Sequence, residues 1–79
     1  MDQEKAILAL AALAQPTRLQ AFNLIVRHEP EGVPAGDVAK MLAVPQNTMS
    51  SHLSVLARAG LIRAERRSRL MIYRAELAV

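Results

Sequence analysis

Apolar residues cover nearly every side of the first predicted helix, residues 3–14, where Ile7, Leu8, Leu10 and Leu13 fall on more than one face. A helix with this pattern has to be buried on more than one side. In a chain of 79 residues, we expect one of those sides to be covered by a second subunit. The alternative is a core helix whose alanines face water.

Three further helices are predicted, each opened by a proline, whose missing N–H costs nothing at the first position of a helix. The prolines are Pro16, Pro34 and Pro45. Apolar residues then recur at helical spacing: Leu19, Phe22, Ile25 and Val26 in the second helix, Val38, Ala39 and Leu42 in the third, and Met49, Leu53 and Leu56 in the fourth. Gly60 is the expected left-handed stop of the fourth helix.

After Gly60 the period changes, and two strands are predicted around a turn near Arg67-Ser68. The sequence therefore predicts a single domain, residues 1–79, that is mainly α with a small β-hairpin (α+β), in the order α-α-α-α-β-β. A further C-terminal helix would begin at Ala75 without being completed. This is the layout of a winged helix-turn-helix, which presents one helix to a DNA major groove and a β-ribbon to the flanking backbone.

Charge is distributed unevenly along the chain. The formal net charge is +3, and residues 46–79 carry six arginines against two glutamates. The positive half is thus the half with the fourth helix and the hairpin, which favours a polyanionic partner. A merely solvated basic surface is the alternative.

Small polar residues gather at the start of the fourth helix, where they can reach base edges without holding the backbone away. The candidates are Gln46, Asn47, Thr48, Ser50, Ser51 and His52. Gln and Asn can pair bidentately with adenine, and a threonine methyl group suits thymine. Helix capping or packing of the turn is the alternative for Thr48 and Ser50, and an ordinary surface histidine is the alternative for His52.

Three arginines crowd the predicted hairpin tip: Arg66, Arg67 and Arg69. Guanidinium groups at such a tip suit phosphates or a narrow minor groove. Because hairpin tips are solvent-exposed, plain solvation of the turn is the alternative.

The sequence has no cysteine, which excludes disulfides and thiolate metal sites. No arrangement of nucleophile, paired carboxylates, Gly-rich loop or zinc-binding residues supports catalysis, a cofactor or a metal. No apolar run approaches the roughly 18 residues of a membrane span, and the acidic N-terminus is unlike a signal peptide. We expect a cytoplasmic protein that is not an enzyme and has no membrane partner.

Three segments together resemble the ArsR/SmtB family of bacterial winged-helix repressors: ALAQPTRLQAFNLI (11–24), GDVAKMLAVPQNTMSSHLSVLARAGLI (36–62) and RRSRLMIYR (66–74). The resemblance covers residues 4–75 and is most specific in SSHLSVLARAGLI. It implies a homodimeric repressor whose DNA-reading helix is residues 45–59 and whose wing is residues 61–74. Its dimer interface would be built by the first helix and by a last C-terminal helix. From the apolar pattern of the first helix, we expect Ile7, Leu10 and Leu13 to lie between the subunits.

The chain departs from that family in three places. The third helix lacks the Cys-x-Cys motif of metal sensors, so thiolate sensing is excluded. The last helix is missing or only begun at Ala75, and the wing turn has Ser68 where glycine is common. No residue pattern identifies an effector.

The sequence predicts a regulator that binds a double-stranded DNA operator as a homodimer and represses by occlusion. The alternative is a winged-helix protein-interaction module without DNA binding. The clustered arginines favour the DNA-binding interpretation, because a docking module has no need of them.

Overall fold

A computed structural model of the chain describes residues 2–76, which form four helices and three strands. In chain order these are α1 (Gln3–Leu13), α2 (Pro16–Arg27), β1 (Val33–Pro34), α3 (Ala35–Leu42), α4 (Gln46–Arg58), β2 (Ile62–Arg67) and β3 (Leu70–Ala75). The predicted winged helix-turn-helix is confirmed, with β1 as an addition. Ala75 ends β3 rather than opening a helix, and the rest of the predicted C-terminal helix, residues 77–79, lies outside the described residues.

The helix boundaries follow the proline and glycine pattern to within one residue. Pro16 is the first residue of α2, whereas Pro34 and Pro45 are the N-cap residues of α3 and α4. After α4, Gly60 adopts φ +80°, a left-handed conformation that glycine accepts without steric cost. The chain can therefore turn sharply from α4 into β2.

The three strands form one antiparallel sheet in the order β1-β3-β2. Arg67 pairs with Leu70 across the hairpin, so the turn is Ser68-Arg69, one residue later than predicted. Ser68 has φ 58°, a backbone conformation usually given to glycine in two-residue turns. The sequence pattern did not indicate β1, because it has two residues and one is a proline.

Helices α2, α3 and α4 and the sheet enclose the core. Its largest fully buried side chains are Ile25, Val33, Val38, Met49, Leu53 and Leu56. The predicted second helix is confirmed, but of its regularly spaced apolar residues Leu19 and Val26 are 44% and 37% exposed. The inner face of α2 is instead formed by Ala21 and Ile25, since small residues allow the neighbouring helices to approach closely.

Helix α1 turns its small residues inward. Ala9 and Ala12 are buried, whereas Ile7 and Leu10 are 57% and 68% exposed. Leu13 is half-buried against the core. The Arg18 Nε–H donates to the Ala12 carbonyl oxygen at 2.6 Å, which satisfies an otherwise unpaired carbonyl group at the C-terminal end of α1.

Candidate nucleic-acid interface

Helix α4 separates its apolar and polar residues cleanly. Met49, Leu53 and Leu56 are buried, and they hold the helix against the core. The predicted base-reading residues Gln46, Asn47, Thr48, Ser50 and Ser51 are all exposed, while His52 is half-buried. No acidic residue lies anywhere in α4, so no side chain of this helix repels a phosphate backbone.

A tight turn sets the position of α4 relative to α3. Ala43 adopts the left-handed conformation, with φ 55° and ψ 45°, and the Val44 N–H donates to the Ala39 carbonyl oxygen at 3.0 Å. Pro45 then precedes α4 without any side-chain cap. Of the first N–H groups of α4, that of Thr48 is bound by the Asn47 side chain. Those of Gln46 and Asn47 are left for an anion, which a helix N-terminus favours.

The polar residues at the start of α4 differ in how far they are already engaged. The Asn47 Oδ1 atom accepts from the Thr48 N–H at 2.9 Å, and the Ser51 hydroxyl donates to the Asn47 carbonyl at 3.4 Å. The Gln46 side chain makes no hydrogen bond to residues 2–76, and its amide packs beside Gly36. Gln46 is therefore better placed than Asn47 for a bidentate contact.

The wing and α4 meet at one cleft of about 350 Å³. It is lined by residues 34–37, by Gln46 and by residues 69–71. The structure thus brings Arg69 and Gln46, two of the predicted DNA-contacting residues, to the same surface depression. The cleft therefore joins the N-terminal end of α4 to the wing turn, and its lining contains the acidic Asp37 as well as Arg69.

The three wing arginines lie in different surroundings. Arg67 Nη1 donates to the Glu31 carbonyl oxygen and Arg67 Nη2 to Glu65 Oε1, both at 3.0 Å. Arg66 is exposed, lies on the opposite face of the hairpin because side chains alternate along a strand, and pairs across the sheet with Met71. Within residues 2–76, Arg66 and Arg69 make no ion pair. Their contact with DNA stays a prediction, as does that of Arg67.

Sequence reasoning missed a second polar cluster at the base of the wing. The Arg74 guanidinium binds the Glu29 carboxylate through Nε and Nη2 at 2.9–3.3 Å, and the Ala75 N–H donates to Glu29 Oε2 at 3.1 Å. Glu29 lies 45 residues before Arg74, so no local pattern could indicate the pair. The cluster ties β3 to the loop after α2.

The arginines of the wing lower the pKa of two carboxyl groups. The Arg74 hydrogen bonds hold the pKa of Glu29 below its ordinary value, against an opposing effect of burial. The Arg67 hydrogen bond likewise lowers the pKa of Glu65. Both groups remain charged at neutral pH, so this face of the wing is close to electrically neutral.

His28 has a structural role, since its Nδ1 lies 2.8 Å from the Leu24 carbonyl oxygen at the end of α2. Residues 2–76 contain no group of three or more His, Cys, Asp or Glu side chains that could hold a metal ion. Among the helices of this segment, none is long and apolar enough to cross a membrane.

The sequence model of a family described as "Helix-turn-helix domain" matches residues 13–65. The chain belongs to the helix-turn-helix domain family. The matched segment runs from the end of α1 to the fourth residue of β2, and so includes α4 whole. No curated protein sequence matches the chain.

Solved structures of helix-turn-helix regulators superimpose closely on this domain. Reduced HlyU from Vibrio cholerae has a TM-score of 0.83 at 26% identity, over 92% of this chain and 74% of its own. An ArsR-like transcriptional regulator from a Rhodococcus species has a TM-score of 0.81 at 26% identity, over 91% and 65%.

A third structure is the homodimeric winged helix-turn-helix DNA-binding domain of a possible ArsR-family regulator from Mycobacterium bovis. Its TM-score is 0.85 at 25% identity, over 92% of this chain and 65% of that one. The resemblance to the ArsR/SmtB family is confirmed. This helix-turn-helix family and its fold are those of DNA-binding transcription regulators, not of enzymes.

Proposed function

We propose that this DNA-binding regulator is a sequence-specific repressor that acts as a homodimer by occluding its operator. The observation that carries the proposal is the exposed, acid-free polar face of α4, which shares a cleft with the arginine-bearing wing turn. Two copies would place two α4 helices in successive major grooves, about 34 Å apart.

Gln46 leads the proposed base-reading residues because its amide is unengaged. Asn47, Thr48, Ser50, Ser51 and His52 follow it along the first two turns of α4. Arg66, Arg67 and Arg69 would supply phosphate contacts, which give affinity more than sequence choice.

The exposed apolar surface of α1 supports dimerisation. Ile7, Leu8 and Leu10 are each more than half exposed, and large apolar side chains grouped on one helix of a small domain mark an interaction surface. We assign Ile7, Leu10 and Leu13 to the subunit interface. The homodimeric structure from Mycobacterium bovis is consistent with this assembly.

The rival function, a protein-docking module, draws on Leu70 and Met71, which are 55% and 41% exposed beside the cleft. Apolar side chains there would suit a protein partner. They also suit thymine methyl groups, whereas the neighbouring Arg66 and Arg69 suit phosphate better than a protein surface.

Selection from a pool of random duplexes, followed by sedimentation velocity with the selected duplex, tests the proposal. We expect the free chain to sediment as a dimer, to select a roughly palindromic sequence and to bind it as one dimer per duplex. Placing a promoter behind the selected sequence should then give lower transcription when the protein is present. A monomer that selects no sequence would contradict the proposal and favour the docking module.

A further inference from the structure

One carboxylate on the wing is shared by three arginines. Glu65 Oε1 lies 3.0 Å from Arg67 Nη2 and 3.6 Å from Arg74 Nη1, and Glu65 Oε2 lies 3.7 Å from Arg63 Nη2. The Arg74 side chain is bound more closely by Glu29, so Arg67 is the closest cation that depends on Glu65. These contacts occupy the guanidinium group that a DNA phosphate would need.

The ion pair between Arg67 and Glu65 can be exchanged for another partner at little cost. Half of the Arg67 side chain and a third of the Glu65 side chain are exposed, and ion pairs in such surroundings are weak. A phosphate and a carboxylate offer the same kind of acceptor to a guanidinium. The two acceptors therefore bind Arg67 with similar strength, and a phosphate of a nearby duplex can replace Glu65.

We propose that Glu65 limits the DNA affinity of the wing. Its carboxylate occupies the guanidinium group of Arg67, where a DNA phosphate would bind, until a duplex displaces it. This inference rests on the proposed function. Arg66 and Arg69 need no such exchange, because neither makes an ion pair within residues 2–76. Arg66 and Arg69 can thus bind phosphate directly, whereas Arg67 can do so only after it leaves Glu65.

Glu31 provides a matched control for the loss of one negative charge. It is exposed, and its carbonyl oxygen accepts from Arg67. Its carboxylate makes no ion pair with residues 2–76. Glu31→Gln therefore removes the same charge as Glu65→Gln close to the same arginine, but releases no guanidinium group.

The test measures binding to a mixed-sequence duplex at several salt concentrations for the parent, Glu65→Gln, Glu31→Gln, Arg67→Ala and the Glu65→Gln/Arg67→Ala double variant. We expect Glu65→Gln to tighten binding about 2- to 5-fold per subunit at low salt, and Glu31→Gln to have a smaller effect. The gain of Glu65→Gln over Glu31→Gln should disappear when Arg67 is alanine. Circular dichroism establishes that each variant is folded.

Equal effects of Glu65→Gln and Glu31→Gln, or a gain that persists without Arg67, would overturn the inference while leaving DNA binding intact. Absence of duplex binding by the parent would overturn the proposed function and the inference together. In the parent, carboxyl NMR provides a second readout. The Glu65 pKa should rise on DNA binding, because Glu65 then loses its Arg67 partner.

Discussion

Helices α1 and α4 both expose a broad face, but they are built in opposite ways. Helix α4 places its large apolar residues, such as Leu53, inward and its small polar residues outward. Helix α1 places alanines inward and Ile7, Leu8 and Leu10 outward. Because burial of large side chains supplies most of the stabilisation, α4 is held in place by contacts within the subunit, whereas Ile7, Leu8 and Leu10 of α1 remain mostly exposed.

The largest expected effect is on the free energy of unfolding, which should respond differently to truncations in α4 and in α1. Leu53→Ala should lower the free energy of unfolding by about 2–5 kcal/mol, because it leaves a cavity in the core. Leu10→Ala leaves no cavity in the subunit, so its effect should appear only through the dimer. Urea melts at several protein concentrations check this, since a loss at an interface depends on concentration. A concentration-independent loss of that size in Leu10→Ala would contradict the proposed difference between α1 and α4.

A charge on the outer face of α1 should separate the subunits. Leu10→Glu buries a carboxylate in the proposed interface, and we expect dimerisation to weaken at least 100-fold, about 2.7 kcal/mol. Gln20→Glu, on the exposed face of α2, adds the same charge as a control. Sedimentation equilibrium measures both. Unchanged association of a folded Leu10→Glu protein would contradict the assignment of α1.

On the outer face of α4, the sharpest change concerns base reading. Gln46→Ala should cost about 1–3 kcal/mol on the selected sequence and relax the preference at one base pair. Asn47→Ala should cost less, because its side-chain oxygen already caps the Thr48 N–H. Repeating the duplex selection with each variant tests this. Full sequence preference in both would mean that another face reads the DNA.

The dependence on salt should also distinguish the basic wing from the apolar surface of α1. Arg66→Ala with Arg69→Ala removes up to four phosphate contacts from a dimer, so the slope of log K against log salt should fall by roughly two to four units. Association through the apolar surface of α1 should be unaffected. Binding titrations at several salt concentrations measure the slope. An unchanged slope would show that these arginines merely solvate the turn.

The smallest expected effect is on stability at acid pH, and it arises from the Glu29–Arg74 pair rather than from α1 or α4. The pKa of Glu29 is lowered in the folded state, so the pair with Arg74 stabilises the fold above the unfolded pKa, and this stabilisation is lost as pH falls through the folded value. Stability should therefore decline below about pH 4.5. Glu29→Gln should flatten that decline in thermal melts. A parent-like pH profile in Glu29→Gln would contradict this role.

Local patterns predicted most of the fold and the surface of the site. Pro16, Pro34, Pro45 and Gly60 mark where backbone chemistry forbids or favours a helix, so the boundaries could be deduced. The exposure of Gln46 followed from the buried stripe on α4. Long-range choices could not be deduced: whether Ala21 or Leu19 faces inward depends on how closely the neighbouring helices pack.

The electrostatic part of the site was the least predictable. Arg66, Arg67 and Arg69 are equivalent in the sequence, but the structure gives Arg67 two partners, one of them the Glu31 carbonyl 36 residues away. The Glu29–Arg74 pair is equally remote in sequence. Such contacts depend on the sheet order, and β1 was too short to be predicted.

The sheet order β1-β3-β2 leaves two strand edges without a hydrogen-bonded neighbour among residues 2–76. Open edges invite pairing with other chains and so lead to aggregation. Here β1 is two residues long and includes a proline, and β2 alternates cationic and anionic side chains at Arg63, Glu65 and Arg67. A second strand laid against β2 would meet those charges. The protein can therefore expose the apolar surface of α1 and still resist open-ended polymerisation through its sheet.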